Sequence, residues 1–294
     1  MMKTMSEVDY NIDFTIQDLI DLKAHFGCKV SALNPKMRDN VFGIKNGISI
    51  IDIRKTYSSA IKAINLCYKF GKANKKILFV GTSPQISPIV KECAEKCNQF
   101  HVTDRWLGGI LTNWYTVSKS IKTLFSYDKI LSNTENSGLS KKEILTMTKN
   151  RDKLAASFGG LTNLRGRPDL VIVFNTRTDY LSIKETLSIG IPTIAILDTN
   201  SNITGVSHPI IANDSNVKVT KFFCEQFAKA IIKGSQENMM ESGINMSSVL
   251  KEKKKEESDK KEVKDKKSED AEEALKKSKK KEKNNKKKDK KDVK

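Results

Sequence analysis

Apolar residues in the middle of the chain alternate between short continuous runs and helical spacings. Continuous runs occur in KILFVGT (76–82), PDLVIVFN (168–175) and IPTIAILDTN (191–200), and a shorter run occurs in QFHVTD (99–104). Strands that are buried on both faces have such continuous apolar runs, whereas half-exposed strands alternate apolar and polar residues. Because helix-like segments separate these runs, the pattern predicts an α/β fold, with a parallel sheet covered by helices on both faces.

Helices are predicted between these strands from the spacing of apolar residues. PQISPIVKECAEKC (84–97) is predicted to form a helix with early prolines, and DYLSIKETLSIG (179–190) a helix that ends at its glycine. KVTKFFCEQFAKAIIKG (218–234) has an amphipathic pattern. Gly234 is predicted to end this last helix, since glycine commonly follows the final helical turn.

The first part of the chain predicts two helices and a hairpin. Thr15 is a suitable cap for a helix in IQDLIDLKAHF (16–26), and residues 54–70 repeat apolar positions at helical spacing. Between them, VFGIKNGISIID (41–52) has two apolar runs joined by Asn46-Gly47. Asn-Gly readily takes the positive φ angles of a type I′ turn, so a β-hairpin is expected there.

The strand–helix alternation is interrupted between residues 115 and 159. Apolar residues there recur at alternating three- and four-residue steps, which predicts an inserted antiparallel helical hairpin with a coiled-coil seam. The expected seam pairs are Val117 with Phe158, Ile121 with Leu154, Leu124 with Arg151, Asp128 with Met147, and Leu131 with Ile144. Asp128 and Arg151 lie about one layer apart in this register and are expected to approach each other. The alternative is two surface helices that pack flat on the domain.

The chain is therefore divided into three parts. Residues 8–114 and 160–236 are expected to form one discontinuous α/β domain, residues 115–159 the inserted hairpin, and residues 245–294 a basic tail. Residues 251–294 contain 21 lysines, 13 acidic residues and no aromatic residue. Such a composition buries too little apolar surface to offset the entropy lost on ordering, so a disordered lysine-rich tail is predicted.

The charge indicates a polyanionic partner. The net charge is +18, of which residues 251–294 account for +8, so the predicted folded part is basic as well. Basic surfaces gain affinity for nucleic acids by releasing condensed counterions, although a basic face is often merely solvated. We find neither a signal-peptide pattern nor an apolar run long enough to span a membrane. Five cysteines at irregular spacing favour a reducing, cytosol-like compartment.

Catalytic and metal-binding patterns are weak. A phosphate- or nucleotide-binding enzyme would use Thr82 and Ser83 after the first strand and Asp198 after a later one, but the phosphate-binding glycine motifs are missing. His25 and Cys28 offer two metal ligands with nothing to complete the shell, and Cys93 with Cys97 lacks a second pair. We therefore predict no catalytic residue, metal or cofactor.

Basic side chains next to glycines and aromatic residues provide better candidates for contacts with RNA phosphates. Glycines in these loop-like segments allow close approach of the backbone to a ligand. The candidate RNA-binding residues are Lys36, Arg38, Lys45, Arg54, Lys55, Arg105, Arg165 and Arg167. Trp106 and Trp114 flank a double glycine in RWLGGILTNW (105–114), and either packing or base stacking would suit them.

Several motifs occur in an order that resembles a known family. They include HFG (25–27), NPKM (34–37), RWLGG-x-LTNW (105–114), PDL (168–170) and DTN (198–200). The chain closely resembles the family of protein two of the small ribosomal subunit, in its bacterial and organellar form. The resemblance extends from about residue 15 to residue 235. Two departures from the family pattern are Cys28 and Ser49, which stand where histidines are frequent.

The resemblance implies a non-enzymatic ribosomal component of Rossmann- or flavodoxin-like topology. Its expected partners are small-subunit ribosomal RNA and neighbouring ribosomal proteins, including the large mRNA-binding protein of that subunit. No membrane and no small-molecule substrate are implied. The expected location is the ribosome, in the cytoplasm or in an organelle. A third hypothesis, from the charge alone, is a nucleic-acid chaperone driven by the lysine-rich tail.

Overall fold

Two β-sheets organise the chain in the computed structural model, which describes residues 10, 12–132 and 140–241. The strands are β1 (Phe26–Lys29), β2 (Val41–Lys45), β3 (Ile48–Ile51), β4 (Ile77–Val80), β5 (Phe100–Val102), β6 (Leu170–Val173), β7 (Thr193–Leu197) and β8 (His208–Ile211). Strands β1, β3 and β2 form a small antiparallel sheet in that order. The other five strands form the large parallel sheet.

The large sheet has the order β5-β4-β6-β7-β8. In chain order this is 2-1-3-4-5, the doubly wound arrangement found in flavodoxin-like folds. The predicted parallel α/β sheet is confirmed. All five strands end on the same side of the sheet, which we call the carboxyl edge, and the side on which they begin is the amino edge.

Helices cover both faces of the large sheet. The helices are α1 (Ile16–Asp21), α2 (Ile53–Lys72), α3 (Ser87–Lys96), α4 (Trp114–Ser132), α5 (Lys141–Phe158), α6 (Tyr180–Ile189) and α7 (Val217–Glu241). Alternate residues of β4 point to opposite faces. Ile77 and Phe79 join an apolar cluster with residues of α2, α3 and α7, while Leu78 and Val80 join a second cluster with residues of α4 and α6.

The N-terminal predictions are confirmed at the turn and at the cap. Asn46 and Gly47 have φ angles of 52° and 73°, as a type I′ turn between β2 and β3 requires. Thr15 caps α1 in a reciprocal capping box with Asp18. The predicted first helix is too long, since α1 ends at Asp21 and the chain enters β1 at Phe26.

The prediction that Gly234 ends the last helix is wrong, because α7 continues to Glu241. Gly234 faces α2 at very short range: a Cβ atom added to it would lie 2.4 Å from the carbonyl oxygen of Tyr68. A Cβ on Gly71 of α2 would likewise lie 2.5 Å from the carbonyl oxygen of Ile231. These glycines therefore allow the α2 and α7 backbones to touch.

Helices α4 and α5 pack against each other, and their charged pair is as predicted. Nε of Arg151 lies 3.5 Å from Oδ1 of Asp128. Val117 and Phe158, a predicted pair, are both buried in the same apolar cluster. Through this cluster, the start of α4 and the end of α5 pack against the large sheet. A coiled-coil geometry of the hairpin stays a prediction, as does the division into domains.

The predicted disordered tail, residues 245–294, lies outside the described residues. In the part of the chain that the structure describes, no helix is long and apolar enough to cross a membrane.

Candidate nucleic-acid interface

The segment that contains both tryptophans wraps around one buried carboxylate. Glu185 of α6 is only 9% exposed and accepts five hydrogen bonds from this segment. The donors are Nε1 of Trp106 at 3.0 Å, the amides of Gly109, Leu111 and Thr112 at 2.8, 3.0 and 3.2 Å, and Oγ1 of Thr112 at 3.3 Å. The irregular loop of residues 103–113, between β5 and α4, thus has a fixed shape without belonging to a strand or helix.

These hydrogen bonds favour the ionised form of Glu185. Burial alone raises the pKa of this carboxyl, but the bonds from Trp106, Gly109, Leu111 and Thr112 lower it by more, so the net pKa lies below its ordinary value. A charged carboxylate is therefore stable in this buried position.

The loop holds Trp106 inward and Arg105 outward. Trp106 is 5% exposed and belongs to the apolar cluster under the sheet, and Trp114 packs against the same cluster. Of the two interpretations of the tryptophans, packing is confirmed for Trp106. Arg105, the preceding residue, is exposed just beyond the carboxyl end of β5.

A second basic segment is attached to the carboxyl edge further along the sheet. The amide of Asn34 donates to the carbonyl of Thr199 at 3.0 Å, and its Nδ2 donates to the carbonyl of Ser201 at 2.9 Å. Lys36 extends from this attached turn, and its Nζ donates to Oγ1 of Thr204 at 3.0 Å. The turn after β7 therefore positions the Asn34 segment.

The start of α2 brings further basic side chains to the same edge. Oγ1 of Thr56 donates to the carbonyl of Ile211, the last residue of β8, at 2.5 Å. Arg54 and Lys55 immediately precede Thr56, and Nζ of Lys55 donates to the carbonyl of Asp39. Lys55 is thereby linked to the turn that contains Lys36 and Arg38.

All eight candidate RNA-binding side chains are exposed, but the fold separates them. Lys36, Arg38, Arg54, Lys55 and Arg105 follow the carboxyl edge, from β8 to β5. Lys45 lies beside the hairpin turn of the small sheet.

Arg165 and Arg167 lie at the amino edge instead. Lys76 directly precedes β4, and its Nζ donates to the carbonyl of Arg165. The carbonyl of Lys76 accepts from the amide of Asp169 at 2.8 Å. The amino edge and the carboxyl edge lie at opposite ends of the strands, so a compact ligand at the carboxyl edge would not reach Arg165 and Arg167. These two arginines would therefore need an extended partner.

The crevice where flavodoxin-like folds bind ligands is closed by a side chain. This crevice lies between the carboxyl ends of β4 and β6, where the strand order reverses. Oγ1 of Thr82 donates to Oδ1 of Asp179 at 2.7 Å, and the Thr82 amide donates to Oδ2 at 3.3 Å. A carboxylate thus occupies the donors that a phosphate would need, and burial raises its pKa.

The two departures from the family pattern meet at one residue. Oγ1 of Thr199 lies 3.0 Å from Oγ of Ser49 and 3.0 Å from Sγ of Cys28, and it accepts from the Cys28 amide at 2.9 Å. These contacts join the small sheet to the carboxyl edge. Among the described residues, no third His, Cys, Asp or Glu side chain joins His25 and Cys28 in a metal-binding arrangement.

Glu185 is the organising residue that we did not identify from the sequence. Its signal is weak but present: within DYLSIKETLSIG it shares the buried side of α6 with Ser182, Ile183 and Thr186. A charged residue on the buried side of a helix requires a partner, but nothing in the sequence says that the partner is a loop 73–79 positions away.

Comparison with known proteins gives a consistent result. A sequence model of the family described as ribosomal protein S2 matches residues 19–234. The proteins named small ribosomal subunit protein uS2 of Rickettsia massiliae and Rickettsia conorii are each 42% identical over 235 residues, which is 80% of this chain and 80% of each relative. The protein of that name from Rickettsia bellii is 41% identical, over 80% of this chain and 81% of the relative.

Proposed function

This chain belongs to the ribosomal protein S2 family, and on that premise we propose that its carboxyl edge binds small-subunit ribosomal RNA. As a member of this family it is a structural constituent of the small ribosomal subunit and acts in translation. The observation that carries the proposal is the row of exposed basic side chains at the carboxyl edge. Hydrogen bonds to two buried residues, Glu185 and Thr199, fix the backbone segments that carry these side chains.

The proposed mode of recognition is geometric. The narrow major groove of an RNA helix is closed to side chains, so proteins recognise folded RNA by its shape, its phosphates and its 2′-hydroxyls. Basic side chains on an anchored backbone suit this task, because less entropy is lost when they meet the phosphates. Arg165, Arg167 and Lys45 would contact other parts of a large RNA. Neighbouring ribosomal proteins, including the large mRNA-binding protein, are the further partners we propose.

A non-catalytic role agrees with the chemistry of the crevice. A nucleotide-binding enzyme would use Thr82, Ser83 and Asp198, but the Thr82 amide and hydroxyl are engaged by Asp179. A nucleotide phosphate would have to displace this buried carboxylate. Density for a soaked nucleotide at residues 81–84 would favour the enzyme instead.

Sedimentation tests the proposed function directly. Tagged protein is expected to migrate with small ribosomal subunits in a sucrose gradient. Ultraviolet crosslinking should then join ribosomal RNA to the segments around Lys36, Lys55 and Arg105. Protein that migrates entirely apart from small subunits would contradict the proposal.

Removing single positive charges at the carboxyl edge is expected to weaken RNA binding without changing the fold. For Lys36→Ala and Arg105→Ala, the negative slope of log K against log salt should become shallower by about 1 each, because one phosphate contact is lost. Filter binding to small-subunit RNA at several salt concentrations measures this slope. The matched control is Lys96→Ala, at the end of α3 where its partner is Glu92, which should leave the slope unchanged. Equal slopes for all three variants would disprove phosphate contacts at Lys36 and Arg105.

Deleting residues 245–294 separates the ribosomal function from a tail-driven chaperone. The tail carries much of the net charge, so the shortened chain is expected to lose non-specific affinity for RNA. Its incorporation into small subunits should persist, since the anchored basic residues remain. Loss of nearly all specific RNA binding after this deletion would support the chaperone hypothesis.

A further inference from the structure

Three neighbouring strands of the large sheet are followed by buried polar side chains that the proposed RNA interface does not use. Thr176 follows β6, Asp198 follows β7 and Asp214 follows β8, and each of the three residues is 5% exposed. Buried carboxylates are costly unless they are paired or bind a cation. Their position at the carboxyl edge therefore needs an explanation.

Extended past the strand ends, the strand register places Thr176 level with Asp198, and Asp214 two positions beyond that level. Val173 of β6 pairs with Ala195 of β7, and Thr176 and Asp198 each follow by three positions. Leu197 of β7 pairs with Ile211 of β8, and the amide of Ala212 donates to the carbonyl of Leu197 at 2.9 Å, which continues the pairing toward Asp214.

Oxygen atoms at this place lack partners. Oγ1 of Thr176 and Oδ2 of Asp214 are fully buried and have no hydrogen-bond partner among the described residues. Oδ1 of Asp214 accepts from Oγ of Ser215 at 3.1 Å. The hydrogen bonds that Asp198 accepts, from the amide and the hydroxyl of Thr199, both go to its Oδ1.

The two carboxylates also repel each other. Burial, and next the negative charge of Asp198, raise the pKa of Asp214 to about 6. Burial likewise raises the pKa of Asp198. Arg177 lowers both values, but it is exposed to solvent and therefore neutralises the pair only weakly. The described side chains leave a buried negative site without a buried cation.

We propose that Thr176, Asp198 and Asp214 form a binding site for one Mg²⁺ ion. The donor set consists of two carboxylates and a hydroxyl, with neither histidine nor thiolate, and hard oxygen ligands of this kind suit Mg²⁺. Mg²⁺ usually keeps several water molecules and takes only one or two carboxylates from the protein. The ion would join the ends of three strands and neutralise acidic charge beside the surface proposed to meet RNA.

Mn²⁺ binding measured by electron paramagnetic resonance tests this proposal on the full chain. Wild-type protein is expected to bind one Mn²⁺ ion that Mg²⁺ displaces. Asp214→Asn and Asp198→Asn should each weaken this site at least about tenfold, as loss of one charged ligand implies. Asp152→Asn, which removes an exposed carboxylate from α5, is the matched control and should bind as wild type does. Equal Mn²⁺ affinity in wild type and in both ligand variants would overturn the proposal.

Thermal unfolding gives a second readout that does not depend on ribosome binding. At about a hundredfold excess of Mg²⁺ over its Kd, the wild-type Tm should rise by about 5 °C. Asp214→Asn should melt above wild type in EDTA, because the repulsion is gone, and its Tm should rise in Mg²⁺ by at most about half of the wild-type increase. A wild-type Tm that is the same in Mg²⁺ and EDTA would disprove the site, even if the variants fail to fold. If the wild-type Tm does not respond to Mg²⁺ but the protein still binds RNA, the proposed function stands without the metal site.

Discussion

Replacing Glu185 with glutamine is expected to lower the free energy of unfolding by about 3 kcal/mol. The amide keeps the size of the carboxylate, but it replaces one acceptor oxygen with a donor. Depending on how the amide is oriented, this donor faces either the amides of Leu111 and Thr112 or the Trp106 indole and the Gly109 amide. One buried donor, the Trp106 indole or the Leu111 amide, and at least one partly buried donor then lose their acceptor. Glu185→Ala should cost more, since all five hydrogen bonds are lost.

Urea unfolding followed by tryptophan fluorescence measures this loss, and Trp106 is a direct reporter because its indole nitrogen donates to Glu185. The matched control is Glu225→Gln on α7, where the carboxylate is partly exposed and lies 3.9 Å from Lys221. A surface pair of this kind contributes about 0.5 kcal/mol or less. If Glu185→Gln costs no more than this control, the proposed role of Glu185 in the loop is wrong.

The effect of Glu185 should also depend on pH. Its pKa in the folded protein lies below the ordinary value, so its contribution to stability is complete above about pH 4.3, the value expected in the unfolded chain. The contribution is lost as the pH falls through the folded pKa. The stability difference between wild type and Glu185→Gln should therefore shrink below about pH 4. A difference that grows on acidification would contradict this sign.

Replacing Gly234 with alanine is expected to cost about 3 kcal/mol, although alanine favours helices. The added Cβ would lie 2.4 Å from the Tyr68 carbonyl oxygen and 2.7 Å from the Lys72 amide nitrogen, and backbone atoms cannot turn aside as a side chain can. Helices α2 and α7 would have to separate, which opens the apolar cluster between them and the sheet. Gly71→Ala should have a similar cost for the same reason.

Gly159→Ala is the control for this second prediction. Gly159 has a φ angle of −54°, and an added Cβ would meet nothing within 4 Å, so alanine should be neutral or should stabilise by up to about 1 kcal/mol. Thermal and urea unfolding of the three variants measure the difference. A Gly234→Ala protein as stable as Gly159→Ala would show that α2 and α7 are not in backbone contact.

Much of the fold was predictable because it depends on local patterns. Continuous apolar runs marked β4, β6 and β7, the Asn46-Gly47 pair marked the hairpin, and Thr15 marked the start of α1. The seam spacing even anticipated the approach of Asp128 and Arg151. Each of these signals acts between residues that are close in sequence or repeat at one period.

The candidate site was predictable only in part. The exposed basic residues could be named from the sequence, but their division between the two edges of the sheet required the strand order. Glu185 and Asp179 were not identified, since each is one acidic residue in a helical segment until its distant partners are known. The role of Gly234 was predicted wrongly, because the sequence of one segment does not distinguish a glycine that ends a helix from a glycine that allows a second helix to approach closely.

The sequence alone determined the type of most elements, though not of β1 and β8, together with the basic character of the chain and its family, because these depend on composition, periodicity and motifs. Only the tertiary structure decided which polar groups meet inside the protein. Glu185 meets the tryptophan loop, Asp179 closes the crevice at Thr82, and Asp214 lies near Asp198. The physical reason is that a buried charge is stable only beside particular donors or charges, and the fold brings these together from distant positions.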